Sequence, residues 1–176
     1  MTIRPATHAD GPGVRDLYLA AFTAAERARV AKLAVDLLST ESAPPTRSLL
    51  AMRADGVVGH IAFSPVTIRD ANLRGGYLLA PLAVHPDHQK RGVGTLLVQT
   101  GLKQLADRGV QVVLVYGDPA YYGRFGFRAD HAEAFRPPYP LQHPFGWQAL
   151  HLQTMPEPPT PGPLACVAAL NDPTLW

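Results

Sequence analysis

The sequence predicts an α/β fold, and three observations carry that prediction. Strand-like and helix-like segments are interspersed along the first 117 residues. Asp55-Gly56 joins two apolar strand patterns as a hairpin. The order strand, helix, strand across residues 76–117 predicts a right-handed parallel crossover. With 176 residues, 47% apolar and 17% charged, the chain has the material for a folded domain with a proper core.

Each element has a local reason. "TIR" at 2–4 reads as a short strand. Val14, Leu17, Tyr18, Ala21 and Phe22 fall on one helical face, with Thr7 and Asp10 as candidate caps. Val30, Leu33, Ala34, Leu37 and Leu38 repeat that spacing in a second helix, and 39–47 is a loop by composition. Strands follow at 48–54 and 57–66; in the second, alternation puts Val57, Ile61 and Phe63 on one face and His60, Ala62 and Ser64 on the other. The runs at 75–84 and 110–117 are almost uniformly apolar, as in strands buried on both faces, and a helix from about Gly92 to Arg108 separates them. Residues 131–146 are rich in proline and aromatics, "WQALHL" at 147–152 reads as another strand, and 156–163 as a linker or extended crossing segment. One domain over 1–155 is expected, with a proline-rich extension at 156–176 packed on it.

Composition excludes several function classes. A net charge of +2 without a Lys/Arg-rich block argues against nucleic acid. The longest stretch free of Asp, Glu, Lys and Arg, 137–156, is full of Pro, Gln and His and is no membrane span. The single cysteine, Cys166, excludes an internal disulfide and reads as packing, and the N-terminus lacks an apolar signal core. A reduced, cytoplasmic setting is expected.

The chemical signal lies in "HPDHQKRGVGTLLVQ" at 85–99. A helix N-terminus leaves about four backbone N–H groups unpaired and carries roughly half a positive charge, both of which a phosphate satisfies. Gly92 and Gly94 let a phosphate approach the backbone, Lys90 and Arg91 add charge, and the Gln89 side-chain amide is a further donor. The stretch reads as a diphosphate cradle at the carboxyl end of a strand. A G-x-G turn is also a plain helix start, and neither a P-loop nor a full dinucleotide fingerprint is present.

Val84, Pro86, Gln89, Gly92 and Gly94 resemble, at matching spacing, the acyl-CoA signature of the GNAT superfamily of N-acyltransferases. "DPAYYGRFGF" at 118–127 is similar to the family's Tyr-x-x-x-Gly-Phe element, with Tyr122, Gly126 and Phe127 in place. The resemblance implies a GNAT-type fold: a central, mostly antiparallel sheet with a parallel, splayed strand pair, flanked by helices. It implies acetyl-CoA as co-substrate, no metal, a small-molecule or peptide amine as acceptor, and room for a homodimer. The backbone of Leu82, Ala83 and Val84 would pair with the pantetheine arm; the amides of Gln89, Lys90, Arg91, Gly92, Val93, Gly94 and Thr95 would hold the pyrophosphate; Tyr122 would stand near the thioester sulfur as general acid. Many relatives carry an Asn before the tyrosine where this chain has Val115, with Asp118 as a stand-in.

The general base is the weak point. No carboxylate lies in 76–84, and Glu26, Glu41, His60 and His85 are the candidates, each with a plainer account. For His60 and Ser64 that account is polar groups satisfied inside the sheet; for His85 and His88, solvated turn residues. Trp147 and Trp176 read as core or dimer contacts, and Tyr121 as core or groove wall. Two alternatives to an N-acetyltransferase stand beside it: a non-catalytic acyl-CoA-binding module, and a dinucleotide-binding enzyme, which leaves Tyr-x-x-x-Gly-Phe unexplained.

Overall fold

Alternating and uniformly apolar runs become strands, and 3.6-period runs become helices, in the expected order. The computed structural model describes residues 1–54, 56–68, 75–154 and 161–176; Asp55, half of the expected hairpin turn, lies outside them. The elements are β1 (Thr2–Pro5), α1 (Gly11–Ala21), α2 (Arg27–Ser39), β2 (Arg47–Arg53), β3 (Gly56–Ile68), β4 (Gly76–Val84), α3 (Val93–Ala106), β5 (Val112–Tyr116), α4 (Pro119–Tyr122), β6 (Phe135–Arg136), β7 (Trp147–His151) and β8 (Gly162–Cys166). Among the described residues the sheet runs β1-β2-β3-β4-β5-β7, with β8 joining β3 and β6. β4 and β5 are parallel, whereas β1–β2, β2–β3, β5–β7 and β3–β8 are antiparallel. The sheet is therefore mixed, as expected. No helix among the described residues is long and apolar enough to cross a membrane.

The chain divides into two units. The first comprises Met1–Phe63 and Ala80–Gly101. Here Val14, Leu17 and Tyr18 of α1, Ala31 and Ala34 of α2, Leu50 and Ala83 form one buried cluster. A leucine such as Leu17, 2% exposed, contributes about 1.5–3 kcal/mol by its burial. On the other face of β3, Phe63 lies so close to Gly101 of α3 that any side chain there would collide with its ring. Asp10 does not cap α1 through its side chain. Arg4 instead donates two hydrogen bonds to it at 2.6 and 2.9 Å, and the Thr7 N–H and hydroxyl donate at 2.8 and 2.9 Å. The Arg4 guanidinium chiefly holds the Asp10 carboxyl far below the usual range, with burial opposing.

Val57 departs from simple alternation. The register jumps from Ala51↔Gly59 to Met52↔Val57, so Val58 is an extra residue in β3. The bulge turns Val57 toward α1, where it packs on the Tyr18 cluster, and a Cβ on Gly13 would meet it at 3.1 Å. Val57 thus shares a side with His60, not with Ile61 and Phe63.

The second unit comprises Ser64–Leu79 and Leu102–Trp176. Trp147 and Trp176 are core residues of it, 7% and 5% exposed. Their indole N–H groups donate to Phe135 O at 2.7 Å and Leu170 O at 3.1 Å. β8 pairs Leu164, Ala165 and Cys166 with Ile68, Thr67 and Val66, so the segment read as a linker ends in a strand. Pro163 masks that strand in the sequence, because proline donates no ladder hydrogen bond.

Candidate active site

The end of β4 carries the first group of predicted residues. Its parallel ladder with β5 runs from Gly76↔Val112 to Leu79↔Val115. Leu82, Ala83 and Val84 lie beyond that ladder's end, Ala83 buried and its neighbours half-buried. Pro81 adds a residue with no N–H to give.

The chain then turns. His85 N–H donates to Val58 O at 2.9 Å, tying the turn to β3, and a short 3₁₀ turn spans Pro86–His88. Lys90 takes φ 57° and Gly92 φ 80°. A lysine in the left-handed region is uncommon and costs about 1–2 kcal/mol, and such strain concentrates at functional turns. A Cβ on Gly92 would meet nothing within 4 Å, so the space beside it is open. The helical ladder begins with Leu96 N–H to Gly92 O at 3.0 Å, which leaves the amides of Val93, Gly94 and Thr95 without partners inside the helix. Lys90 and Arg91 are exposed beside this end. Gln89 also braces the turn: its side-chain amide donates to Val84 O, the last residue of β4, at 3.1 Å.

Tyr122 lies in the second unit, on a second strand-to-helix turn. Asp118 Oδ1 accepts from Ala120 N–H at 2.9 Å and caps α4. Gly117 has no side chain because Tyr122 occupies the space: a Cβ there would stand 2.5 Å from Tyr122 Cε2. Tyr121 and Phe127 pack edge-on against the Tyr122 ring at 5.0 and 5.8 Å, and Gly126, at φ 90°, closes the turn between them. Arg124 covers the face of Tyr121 at 3.9 Å. The Tyr122 ring keeps some surface, yet the atoms around its hydroxyl exclude enough water to push the phenol's pKa well up, with Tyr121 adding to the effect.

Among the base candidates, Glu26 accepts from the Thr23 hydroxyl at 2.8 Å, His85 Nδ1 accepts from Asp87 N–H at 3.4 Å, and Glu41 lines a groove of about 350 Å3 with Thr40, Ser42, Thr46 and Ser48. His60 overturns the plain account. It is 0% exposed on β3, with Nδ1 2.9 Å from the Tyr18 hydroxyl, and among the described residues its buried Nε2 has no hydrogen-bond partner; the same holds for Ser64 Oγ. A buried polar atom left so costs about 1–3 kcal/mol. Burial chiefly holds the imidazolium pKa down at about 3, against a small upward pull from Asp10, so the ring is neutral at ordinary pH. The sequence signal for Tyr18 was helical periodicity alone, which marks a core position and says nothing of its hydroxyl. Among the described residues no three His, Cys, Asp or Glu side chains form a group that could hold a metal.

Comparison with known proteins gives a consistent result. Residues 2–129 match the family model described as an acetyltransferase (GNAT) domain. The chain is 37% identical over 153 residues to the uncharacterized N-acetyltransferase YjhQ of Escherichia coli K12, covering 84% of this chain and 82% of that protein. The crystal structure of the E. coli GNAT family N-acetyltransferase YhbS in complex with CoA superposes with a TM-score of 0.80 at 29% identity, covering 97% of this chain and 92% of that one. A GNAT family acetyltransferase from Brucella melitensis in complex with acetyl-CoA gives 0.75 at 32% identity, covering 97% of both chains.

Proposed function

The chain belongs to the GNAT acetyltransferase family, and on that premise we propose that it transfers the acetyl group of acetyl-CoA to a primary amine of a small molecule or peptide, by direct attack in a ternary complex. The observation that carries the proposal is the turn into α3. Lys90 and Gly92 bend it, the space where a Gly92 Cβ would stand is open, and three amides follow without helical partners. A diphosphate suits that end in charge and in hydrogen-bonding capacity. The amides from Gln89 to Thr95 would hold it, with Lys90 and Arg91 adding longer-range attraction. The cofactors bound in the E. coli and Brucella relatives support the same choice.

The amine nitrogen bonds to the acyl carbon, the carbon–sulfur bond breaks, and the amine sheds one proton. Charge gathers first on the carbonyl oxygen, for which a strand amide at Leu82 or Ala83 is a preorganised donor. It then gathers on sulfur, for which Tyr122 is the donor. A thiol has an ordinary pKa of ~8.5 and a phenol ~10. Burial lifts Tyr122 further above the thiol, so complete proton transfer from it runs uphill. We therefore assign Tyr122 hydrogen-bond donation to the nascent thiolate; the proton shed by the amine passes to solvent, and the departing thiolate takes its proton from solvent.

The absence of any carboxylate in β4 favours one second reading, a module that binds acyl-CoA without turning it over. Thiol release from acetyl-CoA across amines, amino acids and peptides separates the two. Release that depends on one acceptor class supports the transferase. Equal thermal stabilisation by CoA and acetyl-CoA, with no release above background from any acceptor, overturns it.

A further inference from the structure

His60 and its surroundings all lie in the first unit, with the turn that precedes α3. β3 neighbours β4 in the sheet, and the His85 N–H bond to Val58 O at 2.9 Å fixes this part of β3 beside the end of β4. His60 stands two residues beyond Val58. Ala83, whose amide is one of the two donors proposed above for the acyl oxygen, is buried in the same cluster as Tyr18, the partner of His60. The ring therefore sits beside the segment of β4 on which the chemistry is proposed to occur.

The remaining question is which nitrogen carries the proton. Tyr18 lies 2.9 Å from Nδ1 and stacks on Phe22 at 5.7 Å. A phenol is a far better proton donor than a neutral imidazole N–H, so the stronger orientation has Tyr18 donating to Nδ1. That leaves the single imidazole proton on Nε2, an N–H that is buried and has no partner among the described residues. Orphaned buried N–H groups are the rarer kind in folded proteins and call for a partner. We propose that the Nε2–H of His60, its tautomer set by Tyr18, donates a hydrogen bond to the acyl carbonyl oxygen of the bound thioester. A neutral imidazole suits this role better than a cation, because it polarises the carbonyl without bringing a charge into an apolar core. The inference rests on the assignment of acetyl-CoA to the turn at 89–95.

Long-range 1H–15N spectra of protein labelled at histidine test it, with the His60 signals assigned by their loss in His60→Gln. The free protein is expected to show Nε2 protonated and Nδ1 bare, and Tyr18→Phe to mix the two tautomers. Acetyl-CoA is expected to move the Nε2 resonance, and CoA, which lacks the acyl group, to leave it near its free position. In parallel, His60→Leu is expected to slow thiol release from acetyl-CoA about 10²–10³-fold with the calorimetric Kd for CoA unchanged, and His60→Gln, which keeps a donor, to recover part of the rate. An Nε2 signal that ignores acetyl-CoA, or answers CoA equally, while calorimetry records binding of both, overturns this inference and leaves the proposed function standing. A folded His60→Leu protein as fast as its parent does the same. Failure of both CoA and acetyl-CoA to bind overturns the two together. If His60→Leu does not fold, the spectra of the unaltered protein decide.

Discussion

Two strand-to-helix turns carry the predicted chemistry, and they use glycine in opposite ways. In the turn after β4, a side chain on Gly92 would point into open space; in the turn after β5, one on Gly117 would strike the ring of Tyr122 at 2.5 Å. The first turn leaves the space beside its glycine open, and the second is shaped around its own tyrosine.

The largest effect expected from this contrast falls on rate. Tyr122→Phe keeps the ring against Gly117 and removes only the hydroxyl, so kcat should drop about 10²–10⁴-fold while the calorimetric Kd for acetyl-CoA stays put. A matched loss of affinity would mean the second turn also holds the cofactor. Gly92→Val with Gly94→Val should do the reverse, weakening CoA about 10²-fold through lost charge-assisted amide contacts, whereas Gly117→Ala should act on stability, by about 1–3 kcal/mol of overpacking. Calorimetry and thermal unfolding on both variants would break the comparison if their effects exchanged places.

Acidity separates the units further. His60 has its pKa depressed from 6.5 to about 3 in the folded chain. The unfolded state therefore takes up a proton first, so the contribution of His60 is complete above pH 6.5 and declines as pH falls toward 3. Between pH 6.5 and 5 the loss is about 2 kcal/mol, which chemical denaturation should register and His60→Gln should abolish. The smallest effect expected is that of Lys90→Ala. An exposed charge beside the turn should weaken CoA about two- to fivefold at low salt, and less as salt screens it.

What the sequence made legible was local. Uniform apolar runs, the proline and glycines of 84–94 and the Tyr-x-x-x-Gly-Phe spacing each act within a dozen residues, and β4, α3, β5 and both turns stand where they were expected. What escaped depends on partners far along the chain. Val57 changed sides because β3 holds one residue more than β2 opposite it, and no alternation within β3 reveals a bulge. β8 exists because the end of β3 offers it an edge about 100 residues earlier. Tyr18 and His60 are 42 residues apart, and only the packing of α1 on the sheet turns two unrelated polar groups into a pair. The side-chain bond from Gln89 to the carbonyl of Val84 is a further contact that residue type alone does not reveal.

The bare backbone at Gly101 reaches further than its position suggests. It lets α3 settle directly on the Phe63 ring, and a helix is stiff over the ~12 Å that separate Gly101 from Val93. A bulkier residue at that seat would lever the whole rod away from β3 and swing its amino end through an arc. The direction in which the amides of α3 point is thus governed two turns downstream, by a residue set against the Phe63 ring.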